Sequence, residues 1–221
     1  AVQNHGLSVV YQPIFNAGDK TISYCEALVR WNDPKLGSIS TREMLKVAQK
    51  IGLMRDITRH VLHTACTECA GWEGDVGVAV NLSTNDLYQN DCVDLIKEAL
   101  SSSGLDPHRL HVEIHERTII KNVQHASAMI HRIADLGVKV SVDDFGSGYS
   151  VLNYMRDLPL NKVKIDRSFI ASANMDERLK LPLQSLIQLS SGMNFEIVIE
   201  GVETDDQFKA AVKGNAVDHV Q

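Results

Sequence analysis

Two adjacent aspartates, Asp143 and Asp144, stand where an alternating apolar segment ends and a glycine-rich loop begins, in the run VSVDDFGSGYS. Neighbouring carboxylates repel each other, so a positive group is expected between them. Other polar residues also end strand-like segments, at positions whose side chains would lie on the same face as that of Asp143. They are Glu26, Asn81, Glu113, Lys164 and Glu200. Carboxylate and amide oxygens in such a set predict a site for a hard cation.

The elements that would position these residues are strand-like segments separated by amphipathic, helix-like stretches. In the segment before Asp144, valines share one face, while Lys139, Ser141 and Asp143 share the other. A half-exposed sheet would show the same alternation. Because helices must cover the apolar face, however, the polar face turns toward a shared interior, and a closed α/β barrel supplies one. The active site of such a barrel lies at the C-terminal ends of its strands.

Two local signals predict where helices begin and end. Ser40 and Glu43 have the spacing of a capping box, which predicts a helix that starts there. Gly137 is the expected C-cap of the helix that carries Met129 and Ile133. Each helix would then pack its apolar stripe against the outside of the barrel.

Length, charge and composition narrow the classes of function. A chain of 221 residues with 44% hydrophobic residues suits one barrel domain, residues 1–221. The net charge of −6 argues against a nucleic acid polymer as partner. No apolar run approaches the roughly 18 residues of a membrane span, so we expect no membrane contact by this domain. Four cysteines without scaffold spacing favour a reducing compartment, and we expect a cytoplasmic domain even if its parent protein is membrane-anchored.

The ends of the chain predict a piece of a larger protein. The chain opens on AVQNHG without a signal peptide, and it closes on the apparent strand DHVQ. We therefore expect a domain excised from a multidomain signalling protein and truncated at its last strand.

Four other features suggest chemistry that their context does not support. In residues 60–69, two histidines and two cysteines recur every three residues on a predicted helix, so they spiral apart and favour packing over zinc binding. The DFG at residues 144–146 lacks the other kinase motifs, and the glycines that follow do not complete a dinucleotide fingerprint. The carboxylates around Lys164 favour a charged lysine over one that forms an imine.

Seven motifs, taken in order along nearly the whole chain, resemble the EAL-domain family of cyclic di-GMP phosphodiesterases. They are YQPIF, EALVRW, NLS, VEIHE, VDDFGSGYS, KIDRSFI and IEGVET. The resemblance implies a modified TIM barrel, (β/α)8, in which one strand near the N-terminus is antiparallel. It also implies hydrolysis of cyclic di-GMP to linear pGpG with two Mg²⁺ or Mn²⁺ ions. Calcium, which prefers more and longer ligand bonds, is expected to inhibit.

The resemblance assigns roles to residues by position. Those that match the ligands of the first cation are Glu26, Asn81, Glu113 and Asp143, and those that match the ligands of the second are Asp143, Asp144 and Glu200. Lys164 matches the lysine that orients the attacking water, and the expected catalytic set is Lys164, Glu200 and Glu26. Substrate-contacting positions are matched by Gln12, Arg30, Glu203 and Gln221, and loop-supporting positions by Glu116, Gly146 and Gly148.

One departure from the family pattern lies next to the predicted site. The run EIHE has His115 where the family usually has a small hydroxyl residue. Parity directs His115 into the barrel, and we expect a hydrogen-bonded core histidine there. A role in metal binding or pH sensing is the alternative.

Other functions compatible with the resemblance are a catalytically silent cyclic di-GMP receptor and a protein-interaction module, and a more distant alternative is an unrelated metal-dependent barrel hydrolase. The chain keeps every predicted ligand and the loop glycines, which favours an active enzyme. The resemblance also implies a homodimer, and GGDEF or sensor domains in the same parent chain.

Overall fold

The computed structural model describes residues 6–146, 155–166, 180–212 and 216–221. Within these ranges nine strands form one sheet. They are β1 (Leu7–Asn16), β2 (Ile22–Asp33), β3 (Gly37–Ile39), β4 (Gly77–Leu82), β5 (Leu110–His115), β6 (Lys139–Asp143), β7 (Lys162–Ile165), β8 (Glu196–Ile199) and β9 (His219–Val220).

Eight of these strands close into a barrel, because β1 pairs with both β2 and β9. β1 is antiparallel to both neighbours, whereas the remaining neighbours in the barrel pair in parallel. The predicted barrel with one antiparallel strand near the N-terminus is therefore confirmed. β3 was not predicted; it lies outside the barrel and pairs with the end of β2.

The helices cover the outside of this barrel. They are α1 (Thr41–Lys50), α2 (Met54–Ala70), α3 (Thr84–Leu87), α4 (Cys92–Ser103), α5 (Glu116–Lys121), α6 (Val123–Ala134), α7 (Lys180–Gly192) and α8 (Asp205–Val212), with a 3-10 turn at Pro107–Arg109. Val78, Val80 and Val140 are fully buried in the main apolar cluster, which also contains helix residues. The core therefore lies between the barrel wall and the helices. Among the described helices, none combines the length and the apolar character that crossing a membrane requires.

The capping box predicted at Ser40 and Glu43 is wrong. Ser40 is the N-cap of α1, but within the described ranges its side chain makes no capping hydrogen bond. The hydroxyl of Thr41 instead donates to the carbonyl oxygen of Val29 at 3.3 Å, which ties the start of the helix to β2.

The C-cap predicted at Gly137 is also misplaced. Helix α6 ends at Ala134, and Asp135 is its C-cap. Gly137 belongs to the turn that follows, where its N–H donates to the carbonyl oxygen of Ala134 at 2.8 Å. Its φ of 85° lies in the left-handed region that favours glycine, and it lets the chain turn into β6.

Polar side chains also fill the opposite end of the barrel interior, at the N-terminal ends of the parallel strands. Tyr24 stacks on His111 with ring centroids 4.4 Å apart, and the ring of His219 lies edge-on to Tyr24 at 5.8 Å. The ammonium of Lys162 lies 3.0 Å from Nε2 of His219 and pairs with Glu196. All of these side chains except Glu196 are buried.

Gly77 permits this packing because it has no side chain. A Cβ atom there would lie 2.7 Å from the carbonyl oxygen of Arg109 and 3.0 Å from Nε2 of His111. The first distance is too short for a real contact and the second is very tight, so a side chain at this position would displace the backbone near Arg109 and crowd the ring of His111.

Burial keeps both histidines neutral. Burial, together with the charge of Lys162, lowers the pKa of His219 to about 4. Burial and the same lysine hold the pKa of His111 well below 6.5. The unfolded chain therefore binds more protons than the folded one once the pH falls below about 6.5.

We predict that acid destabilises the fold through these histidines. Above about pH 6.5 neither state protonates His219, so there is no penalty; the penalty grows as the pH falls toward 4. The difference between the two pKa values corresponds to roughly 3 kcal/mol for His219. Urea unfolding between pH 7 and pH 4 should show a smaller loss of unfolding free energy in His219→Gln than in wild type. His63 is exposed and provides the control, because His63→Gln should lose as much unfolding free energy as wild type. An equal loss of unfolding free energy between pH 7 and pH 4 in all three proteins would contradict the prediction.

Candidate active site

The C-terminal ends of the parallel strands form a mouth at which the predicted polar residues meet. Gln12 on β1 lies opposite Glu26 on β2, and Asn81 on β4 lies beside Glu113 on β5. Because side chains alternate along a strand, residues paired in register point to the same face of the barrel wall. The barrel geometry therefore brings together residues that are far apart in the sequence.

Lys164 lies at the centre of this mouth. Its ammonium nitrogen is 2.8 Å from Oε1 of Glu200, 2.9 Å from Oε2 of Glu113 and 3.1 Å from Oε2 of Glu26. The side chain of Lys164 is 1% exposed and that of Glu113 is 0% exposed. Three carboxylates from different strands thus share one cation that the protein itself supplies.

Burial and charge together set the protonation of this group. Burial lowers the pKa of Lys164, but Glu113, Glu26 and Glu200 outweigh it, so the pKa lies well above 10.5. Lys164 therefore keeps its proton, which is the opposite of what an imine-forming lysine needs. Burial raises the pKa of Glu113 to about 8, despite the nearby ammonium.

Two amide side chains hold Glu26. Nδ2 of Asn81 donates to Oε1 at 2.7 Å, and Nε2 of Gln221 donates to Oε2 at 2.6 Å. Burial raises the pKa of Glu26, but the charge of Lys164 and these two hydrogen bonds outweigh it, and the pKa falls below 4.5. Glu26 is therefore held in its ionised form by its neighbours.

A second acidic group adjoins the first. Asp143, Asp144 and Glu200 each offer one oxygen atom, and these atoms lie within 4.8 Å of one another. Burial raises the pKa of Asp143, and the charge of Asp144 adds to that effect while Lys164 opposes it. Burial likewise raises the pKa of Glu200. These raised values mean that the charged forms lack sufficient compensation from the protein alone.

A divalent cation fits this donor set. Every candidate ligand atom is an oxygen, which Mg²⁺ and Mn²⁺ prefer. Oε1 of Glu113 is buried and has no hydrogen-bond partner among the residues that the structure describes. A cation would give this oxygen a partner and would offset the repulsion between the carboxylates.

The turn after β6 is fixed to its neighbours by backbone hydrogen bonds. Asp144 has a φ of 54°, in the left-handed region that costs free energy for a residue with a side chain. Its N–H donates to Oδ1 of Asp143 at 2.9 Å. The N–H of the next residue, Phe145, donates to the carbonyl oxygen of Lys164 at 2.9 Å. The turn is therefore joined to the strand that carries the central lysine.

Gly146 continues this turn with a φ of 96°. Its N–H donates to Oε2 of Glu116 at 3.1 Å, and Glu116 is buried at the start of α5. Glu116 thus contacts the loop that it was predicted to support, although the supporting role remains a prediction. Gly148 lies outside the described residues.

The residues predicted to contact substrate lie mostly around the rim. Gln12 is exposed opposite Glu26. Arg30 lies four residues beyond Glu26 on β2, roughly 13 Å along the strand, and its guanidinium donates to the backbone carbonyl of the preceding residue. Glu203 is exposed after β8. Among these four residues, and within the part of the chain that the structure describes, only Gln221 donates a hydrogen bond to a carboxylate of the mouth, that of Glu26.

A pocket of about 520 Å³ opens beside the mouth. Its lining is mostly apolar and includes Leu28, Leu45 and Met54, while Asn81 and Asp143 border the acidic group. No sequence motif predicts this pocket, because its wall combines residues from several strands and helices that lie far apart in the sequence, from Ala27 on β2 to Asp143 on β6. It offers apolar volume directly beside the candidate cation ligands.

His115 is placed differently from its prediction. It is hydrogen-bonded, as expected, but it lies at the mouth with 37% of its side chain exposed rather than in the core. Nε2 of His115 lies 2.6 Å from Oδ2 of Asp144. His115 is the last residue of β5, and the alternation that directs side chains into a barrel ends there.

Comparisons with known proteins agree with this geometry. The EAL domain family model matches residues 1–221. A solved structure described as PaMucR phosphodiesterase in complex with c-di-GMP superposes with a TM-score of 0.93 at 32% identity, covering 100% of this chain and 91% of that one. The cyclic di-GMP phosphodiesterase NbdA of Pseudomonas aeruginosa is 34% identical over 226 residues, covering 100% of this chain and 29% of NbdA.

Another relative is an uncharacterized signaling protein of Caulobacter vibrioides, which is 36% identical over 206 residues. That match covers 93% of this chain and 26% of the relative. The chain thus spans only about a quarter to a third of the length of these two curated relatives. Because the family model covers the whole chain, and because its barrel superposes on a solved member, the chain belongs to the EAL domain family.

Proposed function

We propose that this domain hydrolyses cyclic di-GMP to linear pGpG with the help of two divalent cations. The observation that carries the proposal is the charge balance at the mouth. The five carboxylates there belong to Glu26, Glu113, Asp143, Asp144 and Glu200. When all five are ionised, as cation binding would require of Glu113, Lys164 offsets one of their charges, and two divalent cations would offset the other four. The similarity to phosphodiesterases named for cyclic di-GMP supports the choice of substrate.

The proposed ligands divide by position. Glu26, Asn81, Glu113 and Asp143 would hold the inner cation, and Asp143, Asp144 and Glu200 the outer one. Asp143 ends β6 on the inward face, so it can bridge both cations, whereas Asp144 begins the turn and reaches only the outer one. When bound, such a pair of cations supplies an acidified water and stabilises the attacking and leaving oxygens of a phosphodiester.

Lys164 then positions the attacking water rather than removing its proton. Its pKa lies well above 10.5, so it stays charged at neutral pH and can only donate hydrogen bonds. Its ammonium is buried among carboxylates that fix its position, which pre-organises a positive charge near the developing negative charge.

The rim and the pocket would bind the rest of the nucleotide. Arg30 would pair with a phosphate, because a guanidinium can donate two parallel hydrogen bonds to it. Gln12, Glu203 and Gln221 would contact polar groups of the substrate. The apolar pocket that borders Asn81 and Asp143 has room for a guanine base. Further domains of a longer parent protein, such as GGDEF or sensor domains, and a homodimer also remain proposals.

We predict that the purified domain converts cyclic di-GMP to pGpG when Mg²⁺ or Mn²⁺ is added, as measured by separating the nucleotides chromatographically. Protein treated with EDTA should form no product, since the carboxylates then lack their cations. Ca²⁺ should not replace Mg²⁺, because its longer bonds and larger ligand number disturb the pairing of two cations. Tight nucleotide binding without product would identify a silent receptor instead, and no binding would point to a different partner.

We predict that Lys164→Met lowers kcat by at least about 100-fold, the usual cost of removing one pre-organised donor from a site of developing charge. Lys139→Met is the matched control, because Lys139 has the same parity on β6 but lies at the opposite end of the barrel. Steady-state kinetics with saturating Mn²⁺ would measure both, and circular dichroism would verify folding. Activity of Lys164→Met within a few-fold of wild type would rule out the proposed role.

We predict that the two adjacent aspartates are unequal. Asp143→Asn should abolish activity and weaken binding of both cations, because Asp143 would be a ligand of each. Asp144→Asn should weaken mainly the outer cation, so that excess Mn²⁺ restores part of the activity. Mn²⁺ binding followed by electron paramagnetic resonance, together with turnover at rising Mn²⁺ concentration, would compare the variants. Equal losses that no Mn²⁺ concentration restores would contradict this division of roles.

A further inference from the structure

The histidine that departs from the family pattern joins the end of β5 to the turn after β6. Nε2 of His115 lies 2.6 Å from Oδ2 of Asp144, and Nδ1 accepts a hydrogen bond from the N–H of Arg117 at 3.3 Å. The second bond makes His115 the N-cap of α5. One side chain thus caps a helix with one ring nitrogen and contacts a proposed cation ligand with the other.

These two bonds determine which ring nitrogen carries the proton. A backbone N–H can only donate, so Nδ1 of His115 must accept from Arg117 and must be unprotonated. The proton of the imidazole is then on Nε2, which donates it to the carboxylate of Asp144. With its proton there, Nε2 has no lone pair for a metal, so His115 is not itself a ligand.

The adjacent residue holds the other side of the same turn. Glu116 accepts a hydrogen bond from the N–H of Gly146, while His115 donates to Asp144. Two consecutive residues, His115 and Glu116, therefore hydrogen-bond to the turn, one at Asp144 and the other at Gly146. These bonds matter because Asp144 has a left-handed φ and 39% of its side chain is exposed, so burial alone does not fix the orientation of its carboxylate.

We propose that His115 is a positioning residue, which orients the carboxylate of Asp144 for the outer cation. The inference rests on the two-cation site of the proposed function. With Oδ2 held by the imidazole, rotation of the carboxylate is restricted, and the group is presented to a cation in one orientation. Hydrogen bonds of this kind to metal-ligating side chains typically change metal affinity by about 10-fold to 100-fold.

A pair of variants separates this role from helix capping. Serine is a good N-cap but is too short to reach Asp144, so His115→Ser keeps the cap and loses the contact. Gln places an N–H donor close to the position of Nε2, so His115→Gln keeps the contact. Mn²⁺ alone, titrated into each metal-free protein and followed by electron paramagnetic resonance, reports cation binding without any need for turnover.

Wild type should bind two Mn²⁺ ions. His115→Ser should bind the tighter ion as wild type does and the weaker one roughly 10-fold less tightly, and His115→Gln should stay within about 3-fold of wild type for both. Unchanged affinities in His115→Ser would overturn the role of His115 but leave the proposed function intact. Binding of fewer than two ions by wild type would overturn the two-cation site and, with it, this inference.

A second measurement tests the hydrogen bond itself. A long-range ¹H–¹⁵N correlation spectrum of the metal-free domain should show His115 with its proton on Nε2, and the resonance should shift in Asp144→Asn. A proton on Nδ1 would exclude the bond to Arg117 and would overturn the proposal.

Discussion

The ion pairs of Lys164 are the interaction on which the rest of the site depends. Carboxylates as deeply buried as Glu113 are costly unless a positive group lies within a few ångströms. Lys164 reaches three of them: Glu200 follows the neighbouring strand β8, whereas Glu26 on β2 comes within 3.1 Å of Lys164 on β7 because the sheet closes. Barrel closure and the acidic mouth are therefore interdependent: the fold brings the charges together, and the lysine makes their burial tolerable.

The compensation by Lys164 is partial, and that is useful for binding cations. Burial still raises the pKa of Glu113 to about 8, and it raises the pKa of Asp143 and Glu200 as well. Glu26, by contrast, is ionised because two amides and the lysine hold it. The mouth thus combines one carboxylate whose ionised form the protein favours with others whose ionised forms a bound cation would favour.

Much of this arrangement follows from the alternation of residues along strands. A period of two assigns Glu26, Glu113 and Lys164 to one face, and a parallel barrel gathers the ends of its strands at one mouth. That reasoning predicts the barrel and the acidic mouth from the sequence alone. The residue roles carried over from the family pattern remain proposals.

Contacts made where strands end could not be predicted in the same way. His115 has inward parity, yet it is the last residue of β5, and its ring turns to α5 and Asp144 instead. The spacing of Ser40 and Glu43 suits a capping box, but such spacing does not determine the rotamer that makes the bond. Parity is a property of continuous strands, whereas these contacts depend on the path of each turn.

One backbone hydrogen bond links two parts of the site that have separate tasks. The N–H of Phe145 donates to the carbonyl oxygen of Lys164, so the turn that carries Asp144 and the strand that carries the lysine are mechanically coupled. A displacement of the turn would therefore move the carboxylate of Asp144 and also pull on the backbone of Lys164. Phe145 itself is buried in the core, which resists such a displacement. A small movement of this turn would therefore change the surroundings of Asp144 and of Lys164 together rather than those of one side chain alone.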